Sequence, residues 1–179
     1  MIKWAEVGFV APATLLQAMP DARDHKQPAD FLTVWTGMLP IILAAPHGGR
    51  ETLPGVDARR GIGVPQFTSG RDNNTAEVGE LVAGKVSERL RVKPFLVIAR
   101  FGRKYCDVNR AEIAAYESAN AKPLYDAYHD AIQAASQEIR RKWSFGLLLD
   151  IQGQGGAADT IFRGTDNGRC VSALEQRFG

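Results

Sequence analysis

Three short, continuous, branched apolar runs, separated by two stretches in which apolar residues recur at helical spacing, constrain this chain most. The runs are Met38–Ala45 (MLPIILAA), Pro94–Ala99 (PFLVIA) and Phe145–Ile151 (FGLLLDI). Runs of this length and composition fit strands buried on both faces. Between the first two, Asp72-Asn73-Asn74-Thr75 offers helix caps ahead of Val78, Leu81, Val82, Val86 and Leu90. That order predicts an amphipathic helix whose stripe faces a core. Between the second and third, Pro123 opens a stretch carrying Leu124, Tyr128, Ile132, Ala135 and Ile139, which predicts a long helix ending near Lys142. Buried strands alternating with amphipathic helices predict an α/β fold, a three-layer α/β/α sandwich around a mixed, largely parallel sheet. In such sheets ligands collect beyond the carboxyl ends of the strands.

The ends of the chain are harder to read. Residues 1–37 hold apolar patches (Val7–Val10 and Phe31–Trp35) around a charge-mixed segment, an irregular entry with a strand or a helix, and Ala173–Gly179 reads as a helix without a stop signal. Residues 50–71, rich in Gly, Pro and Arg without periodicity, form a loop of a length that is usually functional or mobile.

Composition narrows the function. With 45% hydrophobic and 23% charged residues over 179 positions, the chain has the balance of one globular domain. Its 22 Lys+Arg against 20 Asp+Glu leave a net charge of +2, which argues against nucleic acid or an anionic membrane as partner. No apolar run reaches the ~20 residues of a membrane helix. Two cysteines, Cys106 and Cys170, without paired spacing fit a reducing compartment, and the expected location is cytoplasmic.

Two polar clusters interrupted by glycine follow predicted strands. His47 arrives at a strand end and is followed by Gly48-Gly49, which lets backbone and imidazole approach a metal or substrate closely; the other reading is a turn histidine satisfied by backbone. A nearby carboxylate, Glu51, Asp57 or Asp72, could join it in a mixed nitrogen and oxygen zinc site, or these could be solvated charges and a helix cap. Gln152 and Gln154 follow the third strand. After the second strand, Arg100, Arg103, Lys104 and Arg110 concentrate positive charge beside Asn109, suited to a bidentate grip on a substrate carboxylate, or to a solvated basic surface with an ion pair to Asp107. Tyr128-His129, on the flank of the second helix, could supply a donor or acid, or sit at the core boundary.

Ala45-Pro46-His47-Gly48-Gly49, Asp72-Asn73-Asn74-Thr75-Ala76-Glu77, Asp107-Val108-Asn109-Arg110, Tyr128-His129 and Leu149-Asp150-Ile151-Gln152-Gly153-Gln154-Gly155, in that order, resemble the N-formylglutamate amidohydrolase family over roughly residues 40–170. The resemblance implies a zinc carboxypeptidase-like fold and a metal-dependent hydrolase that cleaves the amide of an N-acylated acidic amino acid or small peptide. It implies zinc as cofactor, with His47 and Asp72 as ligands and Glu51 as the alternative carboxylate. It further implies Asn109 and Arg110 as the grip on the substrate carboxylate, Arg100 and Arg103 as supporting cations, and His129 or Tyr128 as assisting groups. Where the family reads Asp-x-His-Gly-His this chain reads Asp150-Ile151-Gln152-Gly153-Gln154, so Gln152 stands at the second metal histidine. An amide oxygen is a poorer zinc donor than an imidazole nitrogen, which opens the alternative of a weakly metallated relative that only binds a small acidic ligand. The family continues beyond the equivalent of Gly179, so the resemblance implies a single domain over 1–179, incomplete at its C-terminus.

Overall fold

The computed structural model describes residues 26–156 together with 160, 161, 164 and 176. The patch at Val7–Val10 and, Gln176 apart, the helix expected over Ala173–Gly179 lie outside these residues.

The three apolar runs form strands β2 (Ile41–Ala45), β3 (Phe95–Ala99) and β4 (Leu147–Asp150), and the patch before them contributes β1 (Leu32–Trp35). They make one mixed sheet in the order β1-β3-β2-β4, in which β2 runs parallel to both β3 and β4 while β1 pairs antiparallel to β3. The parallel pairs need crossovers, and the two long helices supply them: α1 (Thr75–Leu90) between β2 and β3, and α3 (Lys122–Lys142) between β3 and β4. A short helix, α2 (Glu112–Ala115), precedes α3.

Strand alternation sorts the core. Leu43, Ala45, Leu96 and Ile98 pack with Ala76 and Ala83 of α1. Val97, Ala99 and Phe101 pack with Leu124 and Tyr128 of α3, and Ile42 and Phe95 with its Ala135 and Ile139. The stripe expected on α3 is the one it buries.

The stripe expected on α1 is not. Val78, Leu81, Val82 and Leu90 are exposed, and the helix instead seats Thr75, Ala76, Gly79 and Ala83 against the sheet. A Cβ built on Gly79 would stand 3.5 Å from Ile98 and 3.7 Å from Ile151. Small residues therefore let the α1 backbone approach the strands closely, and the large apolar residues face outward.

β4 departs from expectation too. Leu147, Leu148 and Leu149 are 51%, 51% and 44% exposed rather than buried on both faces; among the described residues β4 is an edge strand paired with β2. No helix among the described residues is long and apolar enough to cross a membrane.

Candidate functional site

Because β2, β3 and β4 are parallel, their carboxyl ends share one rim, and the segments that leave it carry His47, Arg100–Arg110 and Gln152. The rim binds itself together through backbone. Asp72 N–H donates to the His47 carbonyl at 3.1 Å, and Glu51 N–H to the Arg100 carbonyl at 2.8 Å. Gly48 follows His47 against the first turn of α1, where a Cβ would lie 2.4 Å from Ala76 N.

At the centre is His47, with no accessible surface. Its Nε2 lies 2.8 Å from Asp107 Oδ1 and its Nδ1 3.4 Å from Asp72 Oδ2, the latter too poorly placed to count as a hydrogen bond, so Nδ1 is buried without a partner. Asp107 is itself 1% exposed. Its Oδ1 also accepts the Asn109 N–H at 3.1 Å, and its Oδ2 accepts Arg103 Nε–H at 2.8 Å, with Arg59 Nη2 and Arg110 Nε each 3.7 Å away. Burial alone would raise the Asp107 carboxyl, but the hydrogen bonds with His47 and Arg103 and their charges outweigh it and hold the group well below the ordinary carboxylate range. Asp107 is therefore an ionised acceptor, and the proton it shares with His47 belongs to the ring.

Asp72 is not the side-chain cap that its position suggests. Asn74 occupies the cap in a left-handed conformation, φ 64°, tolerable for asparagine, and makes no side-chain cap bond. Thr75 Oγ1 instead donates to the Asp72 carbonyl, which leaves the Asp72 carboxylate to accept Gly153 N–H at 2.8 Å and to lie 3.6 Å from Arg103 Nη1. Gly153 is needed at that approach: a Cβ there would stand 3.0 Å from the Asp72 Cβ.

The remaining expected residues divide. Gln152 is at the rim, its amide donating to Asp150 Oδ2 at 2.7 Å. Desolvation raises the Asp150 carboxyl, the Gln152 hydrogen bond and His47 oppose that, and the Asp72 charge adds to it. Arg110 is a third exposed, and its Nη2 donates to the Gln66 carbonyl at 3.1 Å. The Asn109 side chain is exposed. Arg100 is spent elsewhere, on Thr33 Oγ1 at 2.7 Å and on Glu80 of α1. Glu51 pairs with Lys26 at 2.6 Å beside a cavity of about 740 Å³ whose walls include Phe31, Leu53 and Leu124 but none of His47, Asp72 or Gln152. Tyr128 is buried in the core under α3, with its hydroxyl pushed up by burial and by the Asp150 charge. His129 is exposed and packs on Tyr125, ring centroids 4.3 Å apart, and Tyr125 in turn donates its hydroxyl to the Arg110 carbonyl.

Sequence reasoning missed Arg59, which the structure buries beside Asp107. An arginine in a glycine-rich loop without periodicity carries no signal of burial. Cys106, next to Asp107, is inert as a nucleophile: burial pushes its thiol up to about 12 despite the neighbouring Arg59.

Among the described residues no group of three or more His, Cys, Asp or Glu side chains is placed to hold a metal ion, and the rim offers two, His47 and Asp72. No protein-family model, no curated protein and no solved structure matches the chain.

Proposed function

We propose that the rim site is the centre of a metal-dependent amidohydrolase of the N-formylglutamate amidohydrolase kind, which hydrolyses the amide of an N-acylated acidic amino acid or small peptide. One observation carries the reading: His47 Nδ1 is fully buried, lacks a hydrogen bond and faces a carboxylate oxygen 3.4 Å away. A single ring proton on Nε2, donated to Asp107, would leave the Nδ1 lone pair towards Asp72. Leaving such an acceptor unsatisfied costs on the order of 1–3 kcal/mol, and a cation between the two groups would remove that cost.

His47 and Asp72 would hold the metal, with Gln152 at the third position. When bound, zinc supplies Lewis acidity towards a carbonyl and an acidified water. This chain's own residues do the rest. Asp107 fixes the His47 ring, Arg103 balances the charge of Asp72 and Asp107, and Arg110 with the Asn109 amide orients the substrate carboxylate. His129 borders this site through Tyr125. The fold that accompanies this reading is a three-layer α/β/α sandwich of the zinc carboxypeptidase kind, and the reading suits a cytoplasmic protein acting on a small acidic molecule.

A second reading is favoured by one contact. The Gln152 Nε2–H is committed to Asp150, and the amide oxygen that remains is a poorer zinc donor than an imidazole nitrogen, so the site suits a weakly metallated relative that binds a small acidic ligand without turning it over. Metal analysis and calorimetry with N-acetyl-L-glutamate separate the two. About one zinc per chain, as a single site requires, with binding lost in chelator, supports the hydrolase. Undiminished binding in chelator supports the binder. A chain that takes neither zinc nor the probe overturns both.

A further inference from the structure

We propose that the cavity beside the amino end of α3 binds a free α-amino acid with a large apolar side chain, the side chain held by Phe31, Leu53 and Leu124 and the zwitterionic head by Lys26 and Glu51.

The cavity measures about 740 Å³, within the range of about 300–1,000 Å³ typical of small-molecule sites. Three segments far apart in the chain build it: the short 3-10 turn Pro28–Phe31 ahead of β1, the loop after β2, and the turn that leads into α3. Its floor belongs to the core. Phe31, Leu53 and Leu124 are 7%, 5% and 5% exposed and pack in one cluster with Val97, Ala99 and Phe101. The walls are stiff as well: Pro28, Pro54 and Pro123 line them, and Asn120 Nδ2 donates to the Gly55 carbonyl at 2.9 Å, which ties the loop to the turn before α3. A site assembled before its ligand arrives loses little freedom on binding.

Charge indicates what the ligand carries. Of the three charged residues that line the cavity, Arg50 is turned to Glu77 of α1, at 2.8 Å. Lys26 and Glu51 are bonded to each other at 2.6 Å, and Lys26 Nζ lies 5.1 Å from the centre of the Phe31 ring, so the pair stands over the apolar floor. Their side chains are 57% and 36% exposed, and an ion pair as open to water as this one holds together weakly. An arriving head group therefore separates it readily. A lone carboxylate would take Lys26 and leave Glu51 unpaired beside a second negative charge, and a lone ammonium would strand Lys26 in the same way. A zwitterion gives Lys26 an acceptor and Glu51 a donor together and leaves no charge without a partner. The floor then selects the side chain, and the space admits one as large as that of phenylalanine. None of His47, Asp72 or Gln152 lines the cavity, so the inference does not depend on the chemistry of the rim.

Calorimetry on the full chain tests it, with equilibrium dialysis of labelled ligand as a check that does not need heat. The probes are L-phenylalanine; glycine, which keeps the head and lacks the side chain; and 3-phenylpropionate and 2-phenylethylamine, which keep the ring and one charge each. L-Phenylalanine is expected to bind at a single site. Glycine should bind about 10–100-fold more weakly, the effect of leaving one large apolar side chain unburied. Each one-charge analogue should bind at least about tenfold more weakly, as expected when a charged hydrogen bond is lost. Lys26→Met and Glu51→Gln, both substitutions in an exposed pair, should each weaken L-phenylalanine by about the same tenfold. Equal affinity for glycine or for either analogue overturns the proposal. So does L-phenylalanine binding that both variants leave unchanged, which would place the ligand elsewhere on the chain. Absence of binding by both methods at millimolar L-phenylalanine overturns it as well.

Discussion

His47 and Asp107, sixty residues apart in the chain, meet through a 2.8 Å contact in which neither side chain has more than 1% of its surface exposed. A carboxylate so buried is tolerable because Arg103, Arg59 and Arg110 surround its other oxygen. Replacing Asp107 by Ala strips His47 of its acceptor and leaves buried Arg59 without its counter-ion. Removing one partner of a buried ion pair costs about 3–5 kcal/mol. Urea unfolding of Asp107→Ala is expected to show a loss of that size, and a loss under about 1 kcal/mol, the worth of a surface pair, would mean that the cluster is solvated.

The same cluster sets an acid limit. Asp107 is held below its unfolded value of about 3.9, so as pH falls the unfolded chain takes up its proton first and stability declines. Its contribution is complete above about pH 4 and is lost below that as the folded group itself titrates. Asp150 has the opposite sign: its carboxyl is raised, so its ionisation opposes folding as pH rises above the unfolded value. Thermal melts from neutral to acid pH should therefore fall less steeply for Asp107→Asn than for the wild type. Asp150→Asn should fall more steeply, from a higher neutral value. Parallel acid limbs in all three proteins would contradict the assignment.

The fold was legible because hydrophobic burial leaves a one-dimensional trace. Ile41–Ala45, Phe95–Ala99 and the stripe of α3 all lie inside the expected spans. The trace misleads where packing is governed by backbone approach: Val78, Leu81 and Val82 read as a core face, yet Ala76, Gly79 and Ala83 make the contact. At the rim, the placement of His47 and Gln152 just beyond strand ends was legible from the apolar runs before them. Arg59 was not, because its burial depends on carbonyls of Thr68, Arg103 and Ala114 that no local pattern announces. Glu51 and Arg100 share the type and neighbourhood of site residues, and only coordinates show their partners to be Lys26 and Glu80.

Two glycines test the packing from opposite sides. Gly48 has no room: a Cβ would meet Ala76 N at 2.4 Å and Thr75 Oγ1 at 2.8 Å, so Gly48→Ala must push β2 and α1 apart. Overpacking of this kind costs about 1–3 kcal/mol. Gly84, within α1, has open space around it, and Gly84→Ala should stabilise by roughly 0.5–1 kcal/mol through helix propensity. Chemical denaturation checks both, and equal effects of the two substitutions would show that the approach of α1 to the rim is not close.

Gln152→His addresses the donor set. The substitution removes the amide that binds Asp150 and places an imidazole at the end of β4. Imidazole nitrogen is the better zinc donor, and a third protein ligand should tighten binding by at least about tenfold, or 1.4 kcal/mol. Competition against a chromophoric chelator measures it. No gain in affinity would place residue 152 beyond reach of the His47 and Asp72 pair.

Arg110, the cation proposed to orient a substrate carboxylate, is bound by the chain itself, its Nη2 donating to the Gln66 carbonyl at 3.1 Å. Gln66 holds that carbonyl in place with φ 52°, a left-handed conformation that costs a residue bearing a Cβ about 1–2 kcal/mol. A carboxylate arriving at Arg110 therefore competes with a strained internal acceptor, and Gln66 tunes the competition. Gln66→Gly relieves the strain and should weaken N-acetyl-L-glutamate binding by up to about tenfold, the factor that 1.4 kcal/mol represents. Gln66→Pro, whose ring fixes φ near −65°, forbids the conformation and should strengthen binding while speeding tryptic cleavage of the loop at Arg60. Calorimetry and timed proteolysis read the two effects. Equal affinities in both variants would mean that Gln66 and the ligand do not share the Arg110 fork.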